Sequence, residues 1–230
     1  MYAMLAVSAF FLVLTVVAYR CEKRMVWPFG SIQAQPQFSD TGGYGARCVD
    51  DALKAGFRLL GWAPDLRAPR YKISYALLVS SDGDCFAVVG VGTLLSMRMR
   101  GTWLYTRTID GRVFYTTDSQ VCVETDVSRM WRSHLAQVDT FSKLWQRHRD
   151  LLRDYGVTSH AFSAGREAEE FRNAREEHFQ AISRLGLIAF VDGSATHWRY
   201  TLQGALKAAV LNFSIGLLRR ITFGRVPRSA

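Results

Sequence analysis

The chain has 230 residues, of which 49% are hydrophobic and 13% aromatic, and this composition excludes wholesale disorder. Its net charge of +9 is concentrated at two ends: residues 20–24 carry +2 and residues 195–230 carry +6, whereas residues 25–194 carry only +1. Basic ends on a nearly neutral body suit an anionic membrane surface better than a nucleic-acid groove, so nucleic acid is not expected as a partner.

Residues 1–19 contain no charged side chain and are followed at once by Arg20, Lys23 and Arg24. A helix of this length reaches about 28 Å, close to the hydrocarbon thickness of a bilayer. We therefore interpret residues 1–19 as a transmembrane anchor. Because the neighbouring basic side chains all follow it, we expect a single-pass protein of the cell membrane, with the N-terminus outside and the body in the cytoplasm.

Two alternatives to a retained anchor remain open. A cleaved signal peptide begins with basic residues and ends in small ones, but no Lys or Arg precedes this run, and Ala18-Tyr19-Arg20 is a poor cleavage site. A buried core helix is the other alternative, and the apolar character on all sides of this N-terminal stretch argues against it.

Residues 20–44 are interpreted as a juxtamembrane flexible tether, because residues 27–44 are rich in Pro, Gly, Ser and Gln and lack periodicity. Within it, we expect Trp27 and Phe29 to rest at the bilayer interface. Residues 45–230 are then expected to form one soluble α+β domain with a basic C-terminal tail.

The domain is predicted to begin with a helix over residues 46–60, since its apolar side chains recur at helical spacing. The apolar residues that fall on one face of this helix are Val49, Leu53, Phe57 and Leu60. Gly61 would end this helix.

The clearest β signals lie between residues 71 and 117. We predict a four-stranded antiparallel meander, which residues 121–124 could extend, with strands at 71–80, 85–95, 101–108 and 112–117. Asp110-Gly111 predicts a tight type I′ turn between the last two strands.

The remainder is predicted to be mainly helical. One helix begins at Asp126 or Ser128 and reaches Tyr155, and another covers residues 163–185. We expect these two to form an αα-hairpin on the sheet. A short hairpin at 187–192 and 197–201 and a helix over 203–223 complete the predicted fold.

The helix at 203–223 has two open interpretations. It is too short for a second span, because only residues 208–218 separate Lys207 from Arg219. Its main apolar face is Leu206, Val210, Phe213 and Leu217. That face either completes the core of the domain or lies in the interface of the cytoplasmic leaflet.

Most of the residues that resemble part of a catalytic or binding motif have a simpler structural explanation. Asp82 and Asp84 resemble a metal-binding pair but belong to a Ser-Asp-Gly-Asp turn, where Asp accepts local hydrogen bonds. Gly90 and Gly92 lack the remaining residues of a phosphate loop, so a bulge or a close backbone approach is expected. A neighbouring carboxylate would raise the pKa of Cys85, which opposes nucleophilic activation.

The other cysteines and the histidines give no stronger signal. Cys21, Cys48, Cys85 and Cys122 are too widely spaced for a local zinc motif, and we expect free thiols in a reducing cytoplasm. If the body were exported, Cys85 and Cys122 could form a disulfide, which their spacing does not decide. His178 lies on the apolar stripe of its helix, where a packed and hydrogen-bonded histidine is expected. The sequence thus predicts no catalytic residue, no metal site and no cofactor.

The functional expectation is a membrane-anchored module that acts as an interaction or scaffold protein, with a protein partner possible. The alternative is a membrane-anchored enzyme whose site is assembled from residues distant in sequence. The expected partner is the lipid bilayer, in particular an anionic lipid surface. The residues expected to contact it are Arg20, Lys23, Arg24, Lys207, Arg219 and Arg220.

Overall fold

The computed structural model describes residues 2–37, 43–67, 71–94, 97–118, 131–136, 138–191, 193 and 195–210. Over these residues the fold is α+β, as predicted, with five helices and nine strands. The chain divides into two compact units. We call Trp27–His178 the central unit, and Met1–Val26 together with Phe179–Ala230 the terminal unit.

The elements are numbered in chain order. The helices are α1 (Tyr2–Cys21), α2 (Tyr44–Lys54), α3 (Phe141–Asp154), α4 (Glu167–Arg184) and α5 (202–210). The strands are β1 (Arg24–Met25), β2 (Phe57–Pro64), β3 (Tyr71–Ser80), β4 (Phe86–Leu94), β5 (Met97–Arg107), β6 (Val113–Thr117), β7 (Trp131–Leu135), β8 (Ile188–Phe190) and β9 (His197–Tyr200).

The central unit is built on a six-stranded sheet with the order β2-β3-β4-β5-β6-β7. The strands from β2 to β6 are antiparallel, and β7 pairs parallel to β6. The predicted four-stranded meander is therefore confirmed as β3 to β6. The sheet is larger than predicted because one strand is added at each side.

The strand β2 replaces the end of a predicted helix. The helix α2 ends at Lys54, and Gly56 follows with a φ of 87°, a left-handed conformation that glycine adopts without strain. Residues 57–64 then pair with β3. The prediction of a helix reaching residue 60 is wrong, since Gly56 ends the helix well before Gly61.

The strand β7 replaces the start of another predicted helix. Residues 131–135 pair with β6, and α3 begins only at Phe141. The hydroxyl of Thr140 caps α3 by accepting a hydrogen bond from the backbone N–H of Lys143 at 3.3 Å. The prediction of one helix from residue 126 or 128 to 155 is thus wrong over 131–135, while residues 121–130 lie outside the described range.

The turn between β5 and β6 also differs from the prediction. The backbone N–H of Gly111 donates to the carbonyl of Thr108 at 3.0 Å, and that of Thr108 donates to Arg112 at 2.8 Å. Gly111 has a φ of 78°. This pattern matches the three-residue hairpin in which a type I turn is followed by a left-handed glycine. The hairpin is confirmed, but its turn is not the predicted type I′ turn.

The sheet carries a hydrophobic cluster on each face, because successive strand residues point to opposite sides. One cluster includes Tyr75 and Phe86 and is covered by Phe171 of α4. The other includes Leu78 and is covered by residues of α2 and α3. The predicted αα-hairpin is therefore wrong, since α3 and α4 pack on opposite faces of the sheet.

The stretch after the predicted anchor is ordered against β2. The backbone N–H of Gly30 donates to the carbonyl of Pro64 at 2.8 Å, and that of Gln33 donates to Trp62 at 2.7 Å. Phe29 is buried, with its ring centroid 4.8 Å from that of Tyr75. The prediction that Phe29 rests at a bilayer interface is therefore wrong.

The terminal unit contains a three-stranded sheet with the order β1-β9-β8. The strands β8 and β9 are antiparallel and confirm the predicted short hairpin. The strand β1 pairs with β9, which places Arg24 opposite Trp198. The helix α5 begins two residues after the end of β9.

Candidate functional site

The residues expected to contact lipid do not share one environment. Arg20 and Lys23 are exposed just after the predicted anchor, and Lys207 is exposed on α5. Arg24 is different, since only 12% of its side chain is exposed. Arg219 and Arg220 lie outside the described residues.

Arg24 occupies a cage of three aromatic rings in the terminal unit. Its guanidinium carbon lies 5.2 Å from the ring centroid of Tyr19, 5.5 Å from that of Trp198 and 5.1 Å from that of Tyr200. Its Nη2 also lies 2.5 Å from Oε2 of Glu22. A desolvated cation over aromatic faces is worth roughly 2 kcal/mol, so Arg24 serves the fold of the terminal unit.

The cage joins the C-terminal end of α1 to the small sheet. The ring centroids of Tyr19 and Tyr200 are 5.7 Å apart. Next along the chain, the backbone N–H of Val26 donates to the carbonyl of Thr196 at 2.9 Å. The end of α1 therefore has a fixed position relative to β9, and hence relative to the start of α5.

The helix α1 directs a row of large apolar side chains outward. The row consists of Phe10, Val13, Leu14 and Val17, which are 47–61% exposed and lie on one helical face. Across the described residues no helix is both long and apolar enough to cross a bilayer, and the side chains of residues 1–9 and Phe11 lie outside that part of the chain.

The start of α5 is held tightly against the turn before β8. The hydroxyl of Thr201 donates to the carbonyl of Gly186 at 2.7 Å and accepts from the backbone N–H of Gly204 at 3.1 Å. A Cβ atom on Gly204 would lie 1.8 Å from the carbonyl oxygen of Leu187. Only glycine allows this close approach.

The two faces of α5 carry residues of different size. Its buried side chains are small: Gly204, Ala205, Ala208 and Ala209. Its large apolar side chains, Leu202, Leu206 and Val210, are 47–60% exposed. The sequence interpretation in which Leu206 and Val210 complete the core is therefore wrong for these two residues.

A cluster of titratable groups from distant parts of the sequence lies in the central unit around Tyr44, Cys48 and Asp118. The Tyr44 hydroxyl donates to Oδ2 of Asp118 at 3.0 Å, and the backbone N–H of Thr102 donates to Oδ1 at 2.6 Å. Burial raises the pKa values of Tyr44, Asp118 and the nearby Cys48 thiol. The thiol is thus held protonated, which makes this cluster a poor source of a nucleophile.

Two histidines are buried and neutral. In the central unit, His148 has Nε2 2.9 Å from the hydroxyl of Thr106 and Nδ1 2.7 Å from that of Thr116. Burial lowers the pKa of His148 to about 3, and burial together with Arg175 lowers that of His178 to about 3. His178 is packed on the apolar stripe of α4, as the sequence predicted.

The turn predicted at Asp82 and Asp84 is present between β3 and β4. Oδ1 of Asp84 accepts a hydrogen bond from the hydroxyl of Ser80 at 2.7 Å. Within the described ranges, no group of three or more His, Cys, Asp or Glu side chains could hold a metal ion. The hydrogen bond from Ser80 gives the carboxylate of Asp84 the structural role that turn chemistry predicts.

Gly92 and Cys85 also have the expected surroundings. A Cβ atom on Gly92 would lie 2.0 Å from the carbonyl oxygen of Lys72, so this glycine permits a close backbone approach between β3 and β4. Burial and the neighbouring Asp84 raise the pKa of the Cys85 thiol. Cys21, Cys48 and Cys85 are free thiols, and Cys122 lies outside the described part of the chain.

No family model, no curated protein and no solved structure matches this chain. The candidate site therefore depends on the geometry alone. The aromatic cage was missed by sequence reasoning because Tyr19 and Tyr200 belong to opposite ends of the chain. The signal that could have found it is the aromatic pair Trp198 and Tyr200, which alternates with the basic Arg199 on a short strand.

Proposed function

We propose that this protein is a membrane-anchored interaction or scaffold module that presents its α+β central unit at the cytoplasmic surface. Residues 1–19 serve as the single-pass anchor, and the N-terminus lies outside. The observation that carries the proposal is the outward row of Phe10, Val13, Leu14 and Val17 on α1. A helix with such a row is stable when an apolar environment covers it.

The flanking charges support the same arrangement. Arg20 and Lys23 are exposed directly after the row ends, where the headgroups of a cytoplasmic leaflet would lie. Tyr19 at the same end has the amphipathic ring typical of the membrane interface. The anchor at 1–19 is part of this proposal. The tether predicted at 20–44 is not, because β1 pairs with β9 and both Gly30 and Gln33 hydrogen-bond to β2.

An interaction role is favoured over an enzyme because the buried polar groups of the central unit are used to build the fold. Buried Asp65 accepts hydrogen bonds from Arg67 Nε and from the Tyr75 hydroxyl, each at 2.8 Å. His148 joins two strands through threonine hydroxyls. The cluster at Tyr44 and Asp118 is the arrangement that an enzyme would use, but its thiol is held protonated.

The proposal is tested by expressing the full chain and treating the membranes with alkaline carbonate. We expect the chain to stay in the membrane pellet and to resist protease added outside intact cells. A control chain with Phe10→Arg and Leu14→Arg should be released, because charge near the centre of a span is unfavourable. Release of the unaltered chain would contradict the anchor, and digestion of its central unit from outside would contradict the orientation.

A further inference from the structure

We propose that α5 lies in the interface of the cytoplasmic leaflet and makes a second membrane contact through Leu202, Leu206 and Val210. The occupant of this face is therefore an anionic lipid bilayer. The inference rests on the proposed function, since it takes α1 as the element that sets the membrane boundary. It adds a specific lipid-contacting surface on a part of the chain far from the anchor in sequence.

The depth of α5 in a membrane follows from its closeness to the end of α1. If α1 spans the bilayer, its end at Tyr19 lies at the membrane interface. Tyr200 lies beside it, with the two ring centroids 5.7 Å apart. The helix α5 begins two residues later, at 202. The start of α5 is therefore placed close to the same depth as Tyr19.

The apolar face of α5 is exposed rather than packed inward. The close approach of Gly204 to the carbonyl oxygen of Leu187 fixes which side of α5 is turned inward. The side chains on that inward side are glycine and alanines. Leu202, Leu206 and Val210 recur every four residues on the outward side, which is the pattern of a helix that lies in an interface.

The sequence around this apolar face is basic. Lys207 is exposed one position after Leu206. Residues 195–230 contain six Lys and Arg residues and no Asp or Glu. Each basic side chain near an anionic leaflet adds roughly 1 kcal/mol of attraction. Charge complementarity thus selects an anionic lipid surface as the occupant of the apolar face.

The experiment measures how deeply Leu206 lies in the membrane. The full chain with Cys21→Ser and Cys122→Ser receives a nitroxide label at Leu206→Cys, while the buried Cys48 and Cys85 are retained. It is reconstituted in vesicles of equal parts phosphatidylcholine and phosphatidylglycerol. Collision rates are measured with oxygen, which concentrates in lipid, and with a water-soluble nickel chelate.

Two further labels serve as references. Val17→Cys reports whether α1 lies in lipid. Leu53→Cys reports an aqueous site, because Leu53 is on α2 of the central unit and is 47% exposed, compared with 48% for Leu206. Leu206 faces outward, so the label does not disturb the packing, and an unchanged thermal transition verifies the fold of each labelled chain.

We expect the labels at residues 206 and 17 to collide more often with oxygen than with the nickel chelate. The label at residue 53 should collide more often with the nickel chelate. The preference at 206 should shift toward nickel in phosphatidylcholine alone and after Lys207→Glu. A label at 206 that behaves like the one at 53, while 17 is in lipid, overturns this inference and leaves the anchor intact. An aqueous label at 17 overturns the proposed function itself.

The same labelled chain tests other occupants of the face. A second copy would bring two labels at 206 together and broaden the spectrum, and dilution with unlabelled chain would remove the broadening. Such broadening, with a low oxygen collision rate, would overturn the lipid contact in favour of a dimer. A label at 206 shielded from both oxygen and nickel without broadening would also overturn it, because the face would then be buried in protein.

Discussion

The central unit and the terminal unit differ in where they place their large apolar residues. In the central unit these residues fill two clusters, one on each face of the sheet, and the exposed ones are scattered over separate elements. In the terminal unit, α1 and α5 each carry an outward row of them. The central unit is thus stabilised by burial from water, whereas the terminal unit leaves two rows of large apolar side chains exposed, as the proposed membrane contacts would need.

Polar residues show the same contrast. The central unit buries a histidine and carboxylates that are hydrogen-bonded to neighbouring elements. In the terminal unit, Arg24 is enclosed by aromatic rings, while Arg20, Lys23 and Lys207 are exposed beside the apolar rows. Basic residues beside an exposed apolar row are the arrangement expected at an anionic membrane surface.

The largest expected effect is on the free energy of unfolding, and it distinguishes a buried aromatic residue from an exposed leucine. Phe171 is fully buried, with ring centroids 4.2 Å from Phe86 and 4.7 Å from Tyr105. Phe171→Ala should lower the free energy of unfolding by about 3–5 kcal/mol, whereas Leu206→Ala should change it by less than about 0.5 kcal/mol. Denaturant unfolding in detergent measures both. Equal effects would show that Leu206 is a core residue and would remove the contrast between the units.

The second prediction concerns the loss of folding stability as the pH falls. The pKa of His148 is about 3 in the folded chain and about 6.5 when unfolded, so below pH 6.5 the unfolded chain binds more protons. The stability from this group is therefore complete above pH 6.5 and is lost as the pH falls. The loss is about 1.4 kcal/mol per pH unit.

The measurement is the free energy of unfolding between pH 7 and pH 5. His148→Leu should reduce its slope against pH by about one proton. The unaltered chain and the His148→Leu variant are compared at the same pH values. His178 adds a similar dependence and is present in both chains. An unchanged slope in His148→Leu would mean that His148 titrates normally in the folded chain.

The third prediction separates two basic residues that sequence reasoning placed together. Arg24→Ala should destabilise the terminal unit by about 2 kcal/mol, because the cage and the Glu22 pair are lost. Exchange of the β9 amide hydrogens should then be roughly 30-fold faster. Arg20→Ala is the matched control and should not alter exchange, since Arg20 is exposed. Equal exchange in the two variants would assign both residues to the surface.

The last prediction concerns the turn between β5 and β6. Gly111 has a φ of 78° and no atom within 4 Å of the position of a Cβ, so a side chain there meets backbone strain but no clash. Gly111→Val should therefore lower stability by roughly 1–3 kcal/mol, whereas Gly111→Asn should be milder, because Asn tolerates this conformation. Identical denaturant midpoints for the two variants would contradict the left-handed turn.

The elements that the sequence predicted correctly carry their own local signals. The strands β3 to β6 are rich in β-branched and aromatic residues, and Asp110-Gly111 marks the turn between the last two. The residues of β7 were misread because Trp131 and Leu135 are also one helical turn apart, so their spacing fits a strand or a helix. Pairing with β6 decides between them, and that pairing is not encoded locally.

Only part of the candidate site could be predicted, because the rest depends on contacts between residues distant in sequence. Periodicity correctly placed Leu206 and Val210 on one face of a helix, but it cannot say whether a face points inward or outward. Gly204 decides this, through a contact with the carbonyl of Leu187 that only the fold brings about. Similarly, the run of basic residues identified Arg24, but its aromatic cage depends on Trp198 and Tyr200.

The most direct test of the contrast is cross-linking of the full chain to photoactivatable phospholipids in vesicles, followed by peptide mapping. The account predicts cross-links at residues 10–17 of α1 and 202–210 of α5, and none from residue 43 to residue 178. Cross-links spread across the central unit, or their absence from both helices of the terminal unit, would contradict it.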